Sequence, residues 1–278
     1  FKLSFAERIF SLRMMRRILH LYLRSSLHVS LSVTAFTLLS FLQFDLAVDI
    51  FLLGYTFFAS VVAYNFIKYA AVWKKGNIYK PTSTKAITAL CFIGLLISMF
   101  FVPFKVIQLS TSLAFLIYAY TFPVSKHIKK LRQIPIMKLV VIAFVWSIVS
   151  LLFPVFSTDK NISLGILFFE VAERMVWIFA LMIPFEIRDL ADDEKNGSSL
   201  VSIIGVTSAK YLSIGLLILL FGLHWFFISP IAISDLLIYI SLLLAILFAR
   251  RKQPTYYSSL LVESLPIFWV LFWVLIGD

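Results

Sequence analysis

Cysteine is nearly absent. Cys91 is the only one in 278 residues, which excludes a disulfide framework and a cysteine-built metal site. Histidine is almost as scarce, and His20, His28, His127 and His224 are scattered without the spacing of a ligand set. The nine glycines build no Gly-rich phosphate loop. No Pro/Gly/Ser-rich linker, low-complexity tract or internal repeat interrupts the chain, so a second, soluble domain is not expected. Charge is thin at 14%, against about 25% in a soluble domain. Acid is the scarcer sign, with 14 Asp and Glu against 25 Lys and Arg.

What fills the chain is apolar: 61% of residues are hydrophobic, with a mean hydropathy of +0.98. Helices of about 20 apolar residues span the hydrocarbon of a bilayer. Nine such windows can be drawn, at 27–43, 48–72, 86–103, 105–122, 135–156, 163–185, 208–229, 231–249 and 257–276. The expected fold class is therefore all-α, a polytopic membrane protein of nine transmembrane helices forming one domain over 1–278. Its basic first 26 residues carry no small-residue cleavage site, so no signal peptide is expected there. Arg8, Arg13, Arg16, Arg17 and Arg24 alternate with Phe5, Ile9, Phe10, Met14 and Ile18, the pattern of a basic amphipathic helix on a membrane surface.

Nine crossings put the N-terminal segment and every even-numbered loop on one side. That side gathers the N-terminal arginines, Lys74, Lys75, Lys80, Lys85, Lys126, Lys129, Lys130, Arg132, Lys195, Arg250, Arg251 and Lys252, while the other holds Lys105 and Lys160. The asymmetry predicts a cytoplasmic N-terminus and an outside C-terminus in an integral membrane protein, with a bacterial inner membrane the expected location. The net charge of +11 belongs to this topogenic bias and to membrane lipid; no nucleic-acid partner is expected.

Against that bias runs "PFEIRDLADDEKNG", residues 184–197, which holds five of the chain's 14 acidic residues. Helical spacing puts Glu186, Asp189 and Asp193 on one stripe and turns Asp192 and Glu194 elsewhere. Pro184 is placed to loosen the helix before them and Gly197 to end it. Hard carboxylate oxygens this close suit Mg²⁺, which commonly bridges carboxylates to phosphates. The alternative is a solvated helix end with Arg188 and Lys195 as local partners.

"IPFEIRDLADDEKNG" followed by "SSLVSIIGVTSAK" resembles the second acidic motif of the UbiA-type intramembrane aromatic prenyltransferases. "AYTFPVSKHIKKLRQIP", residues 119–135, resembles that family's tyrosine-proline-lysine loop. The resemblance implies a nine-helix bundle with a central cavity, and transfer of a polyprenyl group from its diphosphate to an aromatic or quinone-precursor acceptor. It implies metal binding by Glu186, Asp189 and Asp193, and substrate binding by Asn65, Tyr120 and Lys126. The partners implied are a prenyl diphosphate, a lipophilic acceptor and membrane lipid, with Mg²⁺ as cofactor.

The chain departs from the family at the first acidic motif. In "VAYNFIKYAAVWKKG" Asn65 is in place, but Lys68, Tyr69 and Trp73 occupy the positions of the aspartates. Lys68 is then either a counter-charge to the diphosphate in place of one metal ion, acting with Asp189 and Asp193 in catalysis, or a residue that snorkels or pairs with Glu186. The second alternative corresponds to a non-catalytic relative that binds lipid or quinone. A transporter using Glu170, Glu173 and Arg174, inside the sixth span, is a third possibility. Glu170 and Arg174 are spaced to pair at i, i+4, whereas Glu173 has no local partner; Glu263 in the ninth span is in the same position.

Overall fold

The structure, a computed structural model, describes residues 5–73, 82–123, 131–158, 160–193, 199–227 and 232–276. Eleven α-helices follow one another among these residues: α1 (Phe5–Arg24), α2 (Leu27–Gln43), α3 (Ile50–Trp73), α4 (Thr82–Ser98), α5 (Phe104–Thr121), α6 (Met137–Phe156), α7 (Leu164–Asp193), α8 (Leu200–Ile204), α9 (Val206–Phe227), α10 (Ile233–Phe248) and α11 (Leu265–Ile276). A π-helical turn, Tyr257–Leu261, leads into α11. No strand occurs among the described residues. In hydrocarbon a helix satisfies its own backbone, which is why apolar runs of this kind leave no other local solution.

Each of the nine apolar windows falls on a helix or, for the last, on the run from Tyr257 to Ile276. Four described helices are long and apolar enough to cross a membrane unaided, and the bent α1–α2 pair makes a fifth. Three of the other four fall short for visible reasons. α4 and α10 have 17 and 16 residues, short of the ~20 that span ~30 Å. α7 has the length but carries Glu170, Glu173 and Arg174 in its middle.

The bundle has two large apolar clusters. In the first, α2, α6, α7, α9, α10 and α11 meet around Phe36, Trp177 and Trp269, whose ring centroids lie 5.1–5.6 Å apart. In the second, Phe41, Leu52, Tyr55, Val106 and Phe153 join α2, α3, α5 and α6. A third, smaller cluster docks the short helix α8 against α7: Leu200 and Val201 pack with Ile183, Ile187 and Leu190. It fixes the helix end that carries the acidic stretch. Ser199 caps α8 by accepting from the Ser202 N–H, and Gly205 closes it at φ +82°, a conformation that favours glycine.

α7 runs through Pro184 without ending, so the loosening expected there does not interrupt the helix. The Gln253 amide, at 2.7 Å, donates to the Pro184 carbonyl and ties the chain before the last span to this turn. α3 and α4 approach closely at Gly94, where an added Cβ would lie 2.8 Å from the Phe58 ring. Gly94→Ala should therefore destabilise the protein by about 1–3 kcal/mol, the usual cost of overpacking. Unfolding in detergent measures this, and Phe58→Leu in the same chain should return part of the loss.

At one end of the bundle Lys160 Nζ donates to the Phe44 carbonyl (2.6 Å), joining the α2–α3 and α6–α7 connections. The opposite end carries α1, the last turns of α3 and α7, and the start of α6. That basic end is where most of the sequence-derived site residues collect.

Candidate functional site

α7 delivers Glu186 and Asp189 to the basic end, and the two sit in different surroundings. Glu186 is buried, with Oε1 2.6 Å from Lys138 Nζ at the start of α6. Its Oε2 has no hydrogen-bond partner among the described residues. Asp189 is partly exposed and is held by its neighbour: Arg188 Nε and Nη2 donate to its two oxygens at 2.6 and 3.0 Å. Arg188 also donates from Nη1 to Ser258 and Ser259, at 2.8 and 2.7 Å, in the π-helical turn before α11. Its guanidinium lies 5.3 Å from the centre of the Phe185 ring. Asp193 ends α7; its side chain, with that of Asp192, lies outside what the structure describes.

Both described carboxylates of the expected metal stripe thus have a protein cation. The local pair Arg188–Asp189 forms, while Lys195, Glu194 and Gly197 lie outside the described residues. No group of three His, Cys, Asp or Glu close enough to hold a metal ion occurs among the described residues. The donor chemistry nevertheless fits a hard cation at one point, the buried and unpartnered Glu186 Oε2. At Asp189 a cation has to compete with the two hydrogen bonds from Arg188.

Lys68, near the basic end of α3, donates weakly to the Leu23 carbonyl (3.4 Å). It does not pair with Glu186. Glu263, from the last span, attracts it, and Arg188 and Arg24 repel it. Arg188 attracts Glu263 as well, so the one buried carboxylate acts on cations of α3 and α7. Deeper in, Trp146 Nε1 donates to the Tyr64 hydroxyl, and Tyr120 is buried within electrostatic reach of it.

Asn65 is buried and uses its amide on the chain itself. Nδ2 donates to the Ser25 carbonyl (3.0 Å) and to Thr88 Oγ1 (2.9 Å), and Oδ1 accepts from Ser26 Oγ (2.9 Å). Ser26 sits in the left-handed region at φ 63°, at the corner between α1 and α2. Asn65 is thus the knot that binds this corner to α3 and α4. Lys126 and the neighbouring Lys129 and Lys130 lie outside the described residues, as does the side chain of Arg132.

In the first half of α7 Glu170 and Arg174 attract one another as their i, i+4 spacing predicts, while the hydrogen bonds of Arg174 go to other helices. Arg174 donates to the Phe36 carbonyl (3.2 Å), Ser150 Oγ (3.1 Å) and Gln43 Oε1 (2.8 Å), and stacks over Phe36. Glu173, without a partner on its own helix, accepts from the Tyr239 hydroxyl at 2.7 Å and lies 3.0 Å from His224 Nδ1. With Asp235, which accepts from Trp269 Nε1, these groups enclose a cavity of about 10 Å³, roughly one water's worth of space. α7 is continuous through this region rather than broken as a transport site would ask.

Sequence reasoning did not reach Lys138, the partner of Glu186, or Tyr64. Both are tertiary neighbours from other helices, and no spacing links them to the acidic stretch. Glu263 had a signal, an ionisable group inside an apolar span, but its counterparts Lys68 and Arg188 emerge only from the packing.

No family model matches the chain, and no curated protein matches it. Among solved structures it is similar to the apo structure of a UbiA homolog from Aeropyrum pernix K1. That likeness has a TM-score of 0.64 at 18% identity, over 90% of this chain and 98% of the other. The fold is UbiA-like along nearly its whole length.

Proposed function

We propose that this membrane protein is of the prenyltransferase type, binding a prenyl diphosphate at the basic end of the bundle and transferring its polyprenyl group to an aromatic or quinone-precursor acceptor. The reading is supported by the Glu186–Lys138 and Arg188–Asp189 pairs on successive turns of α7, and by the attraction of Glu263 for Lys68 and Arg188, in a UbiA-like bundle. Tyr64, one helical turn before Lys68, is hydrogen-bonded to Trp146, and Tyr120 is buried. A diphosphate needs cationic charge and hydrogen-bond donors, and an isoprenoid chain needs apolar, aromatic walls.

In the reaction the allylic C–O bond breaks with its electron pair going to the diphosphate. The carbon bonds to the acceptor, which gives up a proton. Lys68 and Arg188 stabilise the charge developing on the leaving oxygen. Asp189 holds Arg188 in position, and Glu263 sets the balance of charge between Arg188 and Lys68. Glu186, Asp189 and Asp193 would hold Mg²⁺, which when bound neutralises diphosphate charge. The basic end faces the cytoplasm in this reading, as the lysine and arginine bias predicts.

A second reading has its own support. Because both described carboxylates already have protein cations, the same architecture suits a relative that binds an isoprenoid lipid or quinone without turning it over. Purified protein with labelled geranylgeranyl diphosphate and varied Mg²⁺ separates the two. Catalysis predicts Mg²⁺-dependent diphosphate release in the presence of an acceptor, whereas the non-catalytic relative releases none at any metal concentration. In calorimetry, Asp189→Ala or Asp193→Ala should weaken Mg²⁺-dependent binding by about tenfold or more, as expected for loss of a charge-assisted ligand. Asp192→Ala and Glu194→Ala should change it little. Equal effects at all four positions would reduce the stripe to a diffuse electrostatic role.

A further inference from the structure

α1 has a second use beyond anchoring. Arg16, Arg17, His20 and Arg24 recur at helical spacing and line a cleft of about 670 Å³ between α1, the first turn of α4 and Tyr256. Met14, Met15 and Ile18 lie on the opposite face of α1 and are exposed. The helix thus turns its basic side into the cleft and its apolar side outward, as an interfacial helix at headgroup depth does.

Across the cleft from the arginines is the first described turn of α4, from Thr82. Thr84, in that turn, is fully buried and lines the cleft, yet its Oγ1 has no hydrogen-bond partner among the described residues. A buried hydroxyl without a partner is costly unless something outside the chain completes it. None of Glu186, Asp189, Lys68 or Glu263 lines this cleft.

We infer that the α1–α4 cleft is a binding site for a phosphate-bearing anion, with the arginines supplying charge and Thr84 Oγ1 a directed hydrogen bond. Two sources carry that chemistry: the headgroup of an anionic phospholipid and a soluble phosphate compound. The exposed apolar face of α1 favours the lipid, because it sets the cleft at the depth of the headgroups.

Native mass spectrometry of the purified full chain, equilibrated with phosphatidylglycerol or with phosphatidylcholine, reads lipid retention directly. Preferential retention of phosphatidylglycerol is expected. Arg17→Gln with Arg24→Gln should abolish the preference. Thr84→Val, which changes neither charge nor volume much, should weaken it by about tenfold, the loss typical of one hydrogen bond to a charged group. Asp189→Ala should leave it intact, so the result stands apart from any test of the prenyl diphosphate site. A parallel titration with inorganic diphosphate in phosphatidylcholine separates the sources. Competition sensitive to Thr84→Val, without any phosphatidylglycerol preference, would keep the phosphate chemistry and assign it to a soluble ligand. Retention and competition unchanged in both the arginine and the Thr84 variants would overturn the proposal.

Discussion

Lys138→Met should lower the stability of the folded protein by about 3–5 kcal/mol, the usual cost of leaving one member of a buried ion pair uncompensated. The asymmetry of the pair makes the experiment specific. The Glu186 side chain is 1% exposed and Lys138 is 19% exposed, so the carboxylate is left buried without a cation when the ammonium is gone. The ammonium can reach solvent along its own stem when the carboxylate is gone. Glu186→Gln should therefore cost clearly less than Lys138→Met. The double replacement Lys138→Met with Glu186→Leu should recover most of the loss, since a well-packed apolar pair often matches a buried ionic one. Denaturant unfolding in detergent measures all three, and equal costs for the two single changes would mean that the pair is solvated. The same variants bear on function. If Glu186 Oε2 serves a cation, Glu186→Gln should weaken Mg²⁺-dependent diphosphate binding even though its effect on stability is small.

Arg174→Leu should be the most damaging change in the half of the bundle away from the basic end, again by about 3–5 kcal/mol, because it strands buried charge. Arg174 is buried, and its guanidinium joins α7 to α2 through Phe36 and Gln43 and to α6 through Ser150. Removing it leaves those acceptors unpaired and takes the one guanidinium out of the cavity lined by Glu170, Glu173 and Asp235. Arg174→Lys should be intermediate, since an ammonium restores the charge but not the forked geometry that serves three acceptors on two helices. Thermal unfolding in detergent with an α2-side probe and an α7-side probe would show early separation of α2 from α7 in the leucine variant. A loss of less than about 1 kcal/mol, the range of a solvent-exposed pair, would mean that the guanidinium is not an organising contact.

The contrast between these two sites shows where sequence reasoning has its reach. Apolar periodicity and run length located the helices, because in a membrane the choice between helix and disorder is made locally by the need to satisfy the backbone. The acidic stretch was visible for the same reason, as carboxylates spaced i, i+3 and i+7 on one helix, but the spacing did not say that Glu186 would be buried and Asp189 partly exposed. The basic amphipathic face of α1 was equally visible, as was the departure at Lys68, since a cation standing where acids are expected is a fact of the chain itself.

Partnership was not legible. Asn65 matches a site position by sequence, yet three hydrogen bonds to the α1–α2 corner and to α4 take up its amide. Glu170 and Arg174 satisfy the i, i+4 rule and attract one another, but the three hydrogen bonds of Arg174 go to carbonyl, hydroxyl and amide acceptors on α2 and α6 that no spacing announces. Lys138 meets Glu186, and Glu263 attracts Lys68, across helices far apart in the chain. The local code sets which residues lie on which helix and on which face. Which of those faces meet is decided by the packing of large rings such as Phe36, Trp177 and Trp269. Burial then forces each charge to take whatever partner that packing supplies.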